Sequence, residues 1–308
     1  MSVVYDTVDI GGSLKEIFGE KRVLKNEPMK NHTSFKIGGA ASFVVLPENE
    51  NEIILAVKCA KKFNYPVFVI GNGSNLLVDD KGLFGIVIKL GSNFSNIFTE
   101  ENIITAYSGA LLSVIAQKAL KNSLCGFEFA SGIPGTLGGA VKMNAGAYGG
   151  EMKDVVIKTL YLDKNLNLRE KIGGEHMFAY RSSVFSDDDI IIKSQIRLEK
   201  GNADDIKAKM LDLNSRRRLK QPLKYPSAGS TFKRPEGHFA AQLIEECGLK
   251  GVKIGGACVS QKHSGFIINY DNASFSDVIS LINYVKKTVF EKTGVTLCEE
   301  VKILSNIQ

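Results

Sequence analysis

The feature that most constrains this chain is a pair of glycine-rich loops about sixty residues apart. The first reads Gly71-Asn72-Gly73-Ser74-Asn75 and follows the apolar run 67–70, which predicts a loop leaving a buried strand. The second reads Ser131-Gly132-Ile133-Pro134-Gly135-Thr136-Leu137-Gly138-Gly139-Ala140. Because glycine lacks a Cβ, backbone amides in such loops can approach a phosphorylated ligand closely. The pair therefore predicts a site for an extended ligand with a central pyrophosphate, and a dinucleotide-like cofactor is the first hypothesis.

Neither loop matches the common nucleotide-binding fingerprints. A Rossmann dinucleotide site reads G-x-G-x-x-G at the start of a crossover helix, whereas Gly71-x-Gly73 is followed by Ser74-Asn75-Leu76 without a third glycine in place. The G-x-x-x-x-G-K-[ST] motif of nucleotide triphosphatases is also absent from the sequence. A lone G-x-G would most simply serve a tight turn. Two rich loops in one chain favour a ligand site over that alternative.

Length and charge limit the classes of protein and partner. The 308 residues suffice for two or three domains with separate cores. The N-terminus lacks a secretory pattern and no apolar run approaches the ~20 residues that cross a bilayer, so we expect a cytoplasmic protein with no membrane partner. A net charge of +6 suits anionic small molecules. The basic run 216–220 has no interleaved aromatic residues, so we expect no nucleic-acid partner.

Cysteine and histidine positions argue against a metal or disulfide framework. The five cysteines are scattered without a C-x-x-C pair, and the four histidines show no metal-ligand spacing. We therefore expect no metal, and a monomer is the simplest oligomeric state.

Apolar periodicity predicts helices and strands mixed without a regular βαβ rhythm. The predicted helices cover residues 48–64, 111–122, 203–220, 239–247 and 274–292. The predicted strands cover residues 67–70, 85–90, 103–107, 155–162, 190–198, 264–269 and 295–304. This order favours an α+β fold over a doubly wound parallel sheet.

Three short segments combine reactive groups with unusual neighbours. They are Tyr180-Arg181-Ser182-Ser183, the stretch 227–235 around Ser230, and the stretch 297–302 around Glu300. Each residue alone has a plain structural explanation as a surface ion pair, a turn hydroxyl or a solvated strand edge. Together with the glycine loops, the segments resemble those of a known family.

The chain resembles the MurB family of UDP-N-acetylenolpyruvoylglucosamine reductases, in its shorter type II class, from about Asn31 to the C-terminus. The matching motifs, in order, are Asn31-His32-Thr33-Ser34-Phe35-Lys36-Ile37-Gly38-Gly39, Gly71-Asn72-Gly73-Ser74-Asn75-Leu76-Leu77, Ser131-Gly132-Ile133-Pro134-Gly135-Thr136, Gly138-Gly139-Ala140, Tyr180-Arg181-x-Ser183 and Ala228-Gly229-Ser230-x-Phe232-Lys233.

The resemblance implies an FAD-binding module of the vanillyl-alcohol-oxidase-like (PCMH) type in two subdomains, with a smaller α+β substrate-binding domain. We place these at residues 1–84, 85–200 and 201–294, with a last strand in 295–308 that can return to the first subdomain. The implied activity uses NADPH as co-substrate and converts UDP-N-acetylglucosamine enolpyruvate to UDP-N-acetylmuramate in peptidoglycan precursor synthesis. FAD would pass hydride to the enolpyruvyl ether.

The resemblance also implies the site residues. Arg181 and Glu300 would stabilise the charge that develops on the substrate, Ser230 would donate the proton, and Lys220 and Tyr180 would bind substrate. A raised pKa is expected for Glu300, because a bare carboxylate would repel that charge. The implied cofactor-binding residues are Gly71, Asn72, Gly73, Ser74, Asn75, Leu76, Ser131, Gly132, Ile133, Pro134, Gly135, Thr136, Gly138, Gly139 and Ala140.

One motif of the chain departs from the family's pattern, and two other functions are alternatives to the reductase. The family's final motif commonly reads L-E-P-E-V, whereas this chain has Leu297-Cys298-Glu299-Glu300-Val301. The following Val301-Lys302 places the register on Glu300, and Glu299 is the neighbouring alternative. The main alternative is another PCMH-type FAD oxidoreductase acting on a sugar or alcohol. Such enzymes often tether FAD through His or Cys near the first loop, which has neither. A non-catalytic nucleotide-binding module would have no need of Arg181, Ser230 and Glu300 together.

Overall fold

The computed structural model describes residues 9–306. The seven α-helices of this range are α1 (Ile10–Phe18), α2 (Glu50–Lys62), α3 (Leu112–Lys121), α4 (Leu137–Lys142), α5 (Ala203–Lys220), α6 (Ala240–Glu246) and α7 (Phe275–Thr293). Its strands are β1 (Val23–Pro28), β2 (Ala40–Val45), β3 (Val67–Ile70), β4 (Leu76–Val78), β5 (Leu83–Lys89), β6 (Ile97–Glu100), β7 (Ile103–Tyr107), β8 (Leu124–Cys125), β9 (Gly146–Ala147), β10 (Gly150–Glu151), β11 (Val156–Leu162), β12 (Leu168–Ile172), β13 (Ile190–Arg197), β14 (Glu199–Lys200), β15 (Lys253–Ile254), β16 (Ala257–Val259), β17 (Ile267–Asn269) and β18 (Lys302–Leu304).

The first sheet has the strand order β1-β2-β5-β3, with β2, β5 and β3 parallel and β1 antiparallel to β2. Apolar residues of α1 and α2 pack with this sheet, as Leu14, Ile53 and Ile86 in one fully buried cluster show. Asn49 caps α2 by accepting a hydrogen bond from the Glu52 amide. The first glycine loop begins where β3 ends, as the apolar run predicts.

The second sheet is antiparallel, with the order β12-β11-β13-β7-β6. Helices α3 and α4 bury Ile115 and Leu137 in the same core as Ile104 and Ile196 of the sheet. The N-terminal half of α5 joins this core through Met210. The predicted α+β class is confirmed, since one sheet is mixed and the other purely antiparallel.

The C-terminal part of the fold packs α6 and α7 against the antiparallel sheet β15-β16-β17. Ser274 and Asp277 form a capping box at the start of α7, and Gly294 ends the helix at φ +73°. The predicted strand 295–304 is too long, because the continuous paired strand is Lys302–Leu304, and before it Glu299 makes a single isolated bridge to Phe232. This strand, β18, runs parallel to β4, the strand that follows the first glycine loop.

The domain boundaries remain predictions, with one adjustment from the sheets. The predicted boundary between residues 84 and 85 falls inside β5, which lies between β2 and β3 in the first sheet. A boundary after residue 90 keeps that sheet whole. Residues 1–8 and 307–308 of the predicted first and last segments lie outside the described range. No helix within 9–306 is long and apolar enough to cross a membrane.

Candidate active site

The first glycine loop is held in a conformation that only glycine fits. Gly73 has φ +64°, and a Cβ on it would lie 2.0 Å from the carbonyl oxygen of His32. The backbone amides of residues 72–75 donate to no other residue within 9–306. Consecutive unpaired amides in a glycine turn form an anion-binding concavity. The loop is therefore suited to a diphosphate.

The second glycine loop faces the first. Asn72 Nδ2 donates to the carbonyl oxygen of Pro134 over 2.6 Å. A Cβ on Gly71 would lie 2.1 Å from Thr136 Oγ1, and one on Gly135 would lie 3.6 Å from Ser74 Oγ. The two loops thus form the walls of one cradle, and added side chains would fill the space between them.

One buried hydroxyl beside the second loop lacks a partner. Ser108 is 1% exposed, and its Oγ makes no hydrogen bond in the described part of the chain. A Cβ on Gly138 would lie 2.8 Å from Ser108 Cβ, so the two residues are in contact. Gly139 has open space where a side chain would project. Free amides, an orphaned hydroxyl and close-packed glycines together fit a phosphorylated cofactor.

Other predicted cofactor residues have structural partners. Ser131 is buried, and its Oγ accepts from Asn214 Nδ2 over 3.2 Å. Ile133 and Ala140 pack against the core of the second sheet, and Leu76 is the first residue of β4. Their side chains serve packing, so contact with a cofactor would come from their backbone. Asn214 on α5 is a site residue that the sequence reasoning missed.

Arg181 and Glu300 form an ion pair between segments 119 residues apart in sequence. Arg181 Nε donates to Glu300 Oε1 over 2.9 Å, and both side chains are mostly buried. Arg181 Nη2 lies 3.5 Å from the carbonyl oxygen of Gly146. The backbone of Arg181 has φ +54°, in a tight turn closed by Ala179 and Ser182. A left-handed conformation at an arginine is strained, and such strain is concentrated at functional sites.

The register of the final motif is resolved by the side chains. Glu299 Oε1 accepts from Lys286 Nζ of α7 over 2.7 Å, whereas Glu300 points to Arg181. Desolvation raises the pKa of Glu300, and the nearby charges of Arg181 and Lys233 only partly oppose it. The expected direction of the Glu300 pKa is confirmed. The ion pair with Lys286 instead lowers the pKa of Glu299, although burial opposes it.

Backbone pairing brings Ser230 to the same place. The Glu300 amide donates to the carbonyl oxygen of Thr231 over 2.8 Å, and the Lys233 amide donates to that of Cys298 over 2.8 Å. Ser230 directly precedes this paired segment, after Gly229 at φ +79°. Its hydroxyl makes no hydrogen bond with another residue of the described range, so it is free to meet a ligand.

The first loop is tied to the same segment. Asn75 Nδ2 donates to the carbonyl oxygen of Glu300 over 3.0 Å, and the Lys302 amide donates to that of Asn75 over 2.9 Å. Hydrogen bonds therefore connect the loop suited to a diphosphate with the segment that contributes Glu300 to the Arg181–Glu300 pair.

The two predicted substrate residues differ in placement. Tyr180 Oη accepts from the Arg234 amide over 3.0 Å, and the Arg181 guanidinium lies 5.1 Å from the centre of the Tyr180 ring. Lys220, the last residue of α5, is exposed and makes no ion pair within residues 9–306. The structure joins Tyr180 to the Arg181 cluster but does not bring Lys220 into contact with it.

Comparison with known proteins agrees with this arrangement. Residues 221–304 match the family model of the UDP-N-acetylenolpyruvoylglucosamine reductase C-terminal domain, and residues 41–165 match an FAD binding domain. A UDP-N-acetylenolpyruvoylglucosamine reductase of Caldanaerobacter subterraneus subsp. tengcongensis is 54% identical over 94% of this chain and 96% of its own. One of Clostridioides difficile is 48% identical over 96% of this chain and 98% of its own.

The chain belongs to the UDP-N-acetylenolpyruvoylglucosamine reductase family. A crystal structure of the family member from Thermus caldophilus has a TM-score of 0.78 and 32% identity, covering 92% of this chain and 98% of that one. The predicted fold class, an FAD-binding module with a separate C-terminal domain, is confirmed. FAD is the cofactor of this module, and the two glycine loops lie within the matched FAD binding domain.

Proposed function

We propose that this protein is an NADPH-dependent reductase that converts UDP-N-acetylglucosamine enolpyruvate to UDP-N-acetylmuramate. The observation that carries the proposal is the meeting of Arg181, Glu300 and the Ser230 segment beside the loop suited to a diphosphate. Family membership supports the same substrate. All three residues come from one chain, so the site needs no partner and a monomer suffices.

The glycine cradle holds the cofactor and the substrate is reduced beside it. The amides of residues 72–75 would bind the FAD diphosphate, with the second loop as the opposite wall. Bound there, FAD would supply the hydride chemistry that connects NADPH with the methylene carbon of the enolpyruvyl ether. The chain's own residues must then manage the charge and the proton on the substrate.

Arg181 is suited to stabilise the negative charge on the substrate. When the methylene carbon gains hydride, charge develops on the adjacent carbon and spreads into its carboxylate. A guanidinium offers that carboxylate a planar set of donors, and Arg181 is fixed before the substrate arrives by Glu300 and by Gly146. A preorganised cation costs no reorganisation during the reaction.

Glu300 assists as a protonated acid. In its neutral form the carboxyl group donates a hydrogen bond toward the developing charge instead of repelling it. Burial raises its pKa, which favours that form. Substrate binding beside Arg181 would add a second negative charge and favour protonation of Glu300 further.

Ser230 donates the proton that completes the lactyl ether. A serine hydroxyl is a weak acid, but an enolate-like carbon is a strong base, so transfer is feasible at fixed geometry. Its hydroxyl has no competing partner in the described range, and the backbone pairing next to it is fixed at Thr231. Tyr180 and Lys220 complete the proposal as substrate-binding residues.

Ser230→Ala tests the proposal by separating the two half-reactions. We expect NADPH to reduce the bound flavin at the normal rate, while reoxidation by the enolpyruvyl substrate slows about 10²–10⁴-fold. Stopped-flow absorbance at the flavin band measures both rates. Ser227→Ala, in the same segment, is the matched control and is expected to keep both. Unchanged reoxidation in Ser230→Ala would exclude this serine as the proton donor.

A further inference from the structure

Arg217 differs from every other residue of the basic run 216–220. Arg216 is exposed and pairs with Asp212 over 2.8 Å, and residues 218–220 are exposed. Arg217 is partly buried, yet its guanidinium makes no hydrogen bond or ion pair with any residue of the described part. The run is therefore not simply a solvated helix end.

The side chain of Arg217 reaches the second glycine loop. A Cβ on Gly132 would lie 3.2 Å from Arg217 Cδ and 2.5 Å from Asn214 Oδ1. Asn214, one turn earlier on α5, fixes the helix to the loop by its bond to Ser131 Oγ. The C-terminal half of α5 thus presents Arg217 to the wall of the cofactor cradle.

The surroundings of Arg217 connect it to the reaction centre. Tyr148, a neighbour of the Arg217 side chain, is at the tip of the hairpin formed by β9 and β10. The same hairpin contains Gly146, the carbonyl partner of Arg181. Arg217 and Arg181 therefore flank one hairpin on the cradle.

An unpaired charge in such a place needs a partner. Burial lowers the pKa of Arg217 below its ordinary value, which means that the site penalises the cation. Buried charges in native proteins are paired or hydrogen-bonded, because desolvation without compensation is costly. Within residues 9–306 no carboxylate supplies that compensation, and the position on the cradle indicates that a bound anion does.

We propose that Arg217 is a cofactor-binding residue, paired with an anionic group of FAD. FAD has two such groups: its diphosphate, and the isoalloxazine ring, which becomes anionic on reduction. Both call for the same guanidinium chemistry. The proposal rests on the FAD binding domain and not on the identity of the substrate, so failure of the reductase assignment would leave it standing.

Arg217→Gln removes a positive charge beside the cradle. The control Arg216→Gln removes a positive charge from the adjacent residue, which faces solvent. We expect Arg217→Gln to show one of two changes that the control lacks. If the diphosphate is the partner, FAD affinity of the oxidised full-length protein falls about 10- to 100-fold. If the reduced ring is the partner, the affinity for oxidised FAD stays the same, but the reduced flavin is disfavoured at least tenfold. This corresponds to a two-electron reduction potential of the bound flavin that is lower by about 30 mV.

Thermal unfolding of the FAD-free full-length chain separates ligand binding from a structural role. Because Arg217 is unpaired without its ligand, Arg217→Gln is expected to leave the FAD-free Tm unchanged or higher. Arg217→Lys, which keeps the positive charge, is expected to recover part of the FAD affinity or of the flavin potential that Arg217→Gln loses. The proposal is overturned if FAD affinity and potential match those of Arg216→Gln. It is also overturned if the FAD-free Tm falls by as much as the FAD-bound Tm, or if only the KM for the UDP substrate changes.

Discussion

At the scale of single residues, two opposing effects meet at Glu300. The Arg181 guanidinium at 2.9 Å favours the carboxylate, whereas desolvation favours the neutral acid, and desolvation is the larger effect. The pKa of Glu300 is therefore raised above its usual 4.5. The protonated fraction at a given pH is greatest well below that raised pKa and falls as the pH rises through it.

The raised pKa of Glu300 predicts how the reaction depends on pH. Reoxidation of the reduced flavin by the enolpyruvyl substrate should slow as the pH rises through the raised pKa. Glu300→Gln keeps a hydrogen-bond donor but cannot ionise, so it should abolish this decrease of the rate with pH while retaining measurable turnover. Glu300→Ala should lose most of the turnover. Rapid-reaction pH profiles of the three proteins make the comparison. A reoxidation rate that increases with pH, or an identical profile in Glu300→Gln, would contradict the acid role.

At the scale of elements, the first glycine loop depends on close approach between two stretches of backbone. Gly73 combines a positive φ with a carbonyl 2.0 Å from any Cβ, so a side chain must displace His32 or the loop itself. The loop amides would then no longer point in a common direction, and the diphosphate site would be lost.

Gly73→Ala tests this dependence against another glycine that has a positive φ. Gly19, at φ +72° and ψ 160°, has nothing within 4 Å of its Cβ position. Gly19→Ala should cost only the conformational penalty, about 1–3 kcal/mol of stability, with FAD affinity unchanged. Gly73→Ala should weaken FAD binding about tenfold or more at the same time. Calorimetric titration with FAD and thermal unfolding measure both effects; equal FAD affinity in the two variants would count against the cradle.

Elements with strong periodicity were predictable from the sequence, and those fixed by tertiary contacts were not. Helix α7, predicted over 274–292 from its apolar face, spans Phe275–Thr293, and the apolar run 67–70 is β3. The stretch 295–301 is predicted as a strand because it is apolar at Val295, Leu297 and Val301. These side chains instead pack in or against the core shared by α6, α7 and the sheet β15-β16-β17, and the stretch makes an isolated bridge at Glu299 in place of a continuous strand. Burial alone explains why these residues are apolar, so the apolar pattern could not distinguish a paired strand from an irregular buried segment.

Which cation of the run 216–220 faces the second glycine loop was also beyond the sequence. The run offers four cations, and the resemblance implies Lys220 as a substrate-binding residue, which stays a prediction. The structure places Arg217, partly buried, against Gly132 and leaves Lys220 exposed. Charge at successive helical positions says nothing about orientation, because the neighbouring loop that decides it lies some eighty residues earlier.

At the scale of the whole molecule, three segments distant in sequence form one site. Strand β18 lies beside β4, which brings Glu300 to Asn75 across 225 residues, and the turn at Arg181 reaches Glu300 across 119. The motifs identified these residues, but their pairing is a consequence of strand order, which periodicity does not encode. The C-terminal part of the fold is thereby joined to the first glycine loop through strand β18.

The central claim is tested most directly by an anaerobic visible spectrum of the purified, FAD-loaded protein during two additions. We predict that NADPH bleaches the flavin band and that UDP-N-acetylglucosamine enolpyruvate then restores it, with one equivalent of UDP-N-acetylmuramate formed per flavin. A band that bleaches and does not return would retain the flavoprotein and contradict the substrate. A protein that binds no FAD would contradict the cradle formed by the two glycine loops.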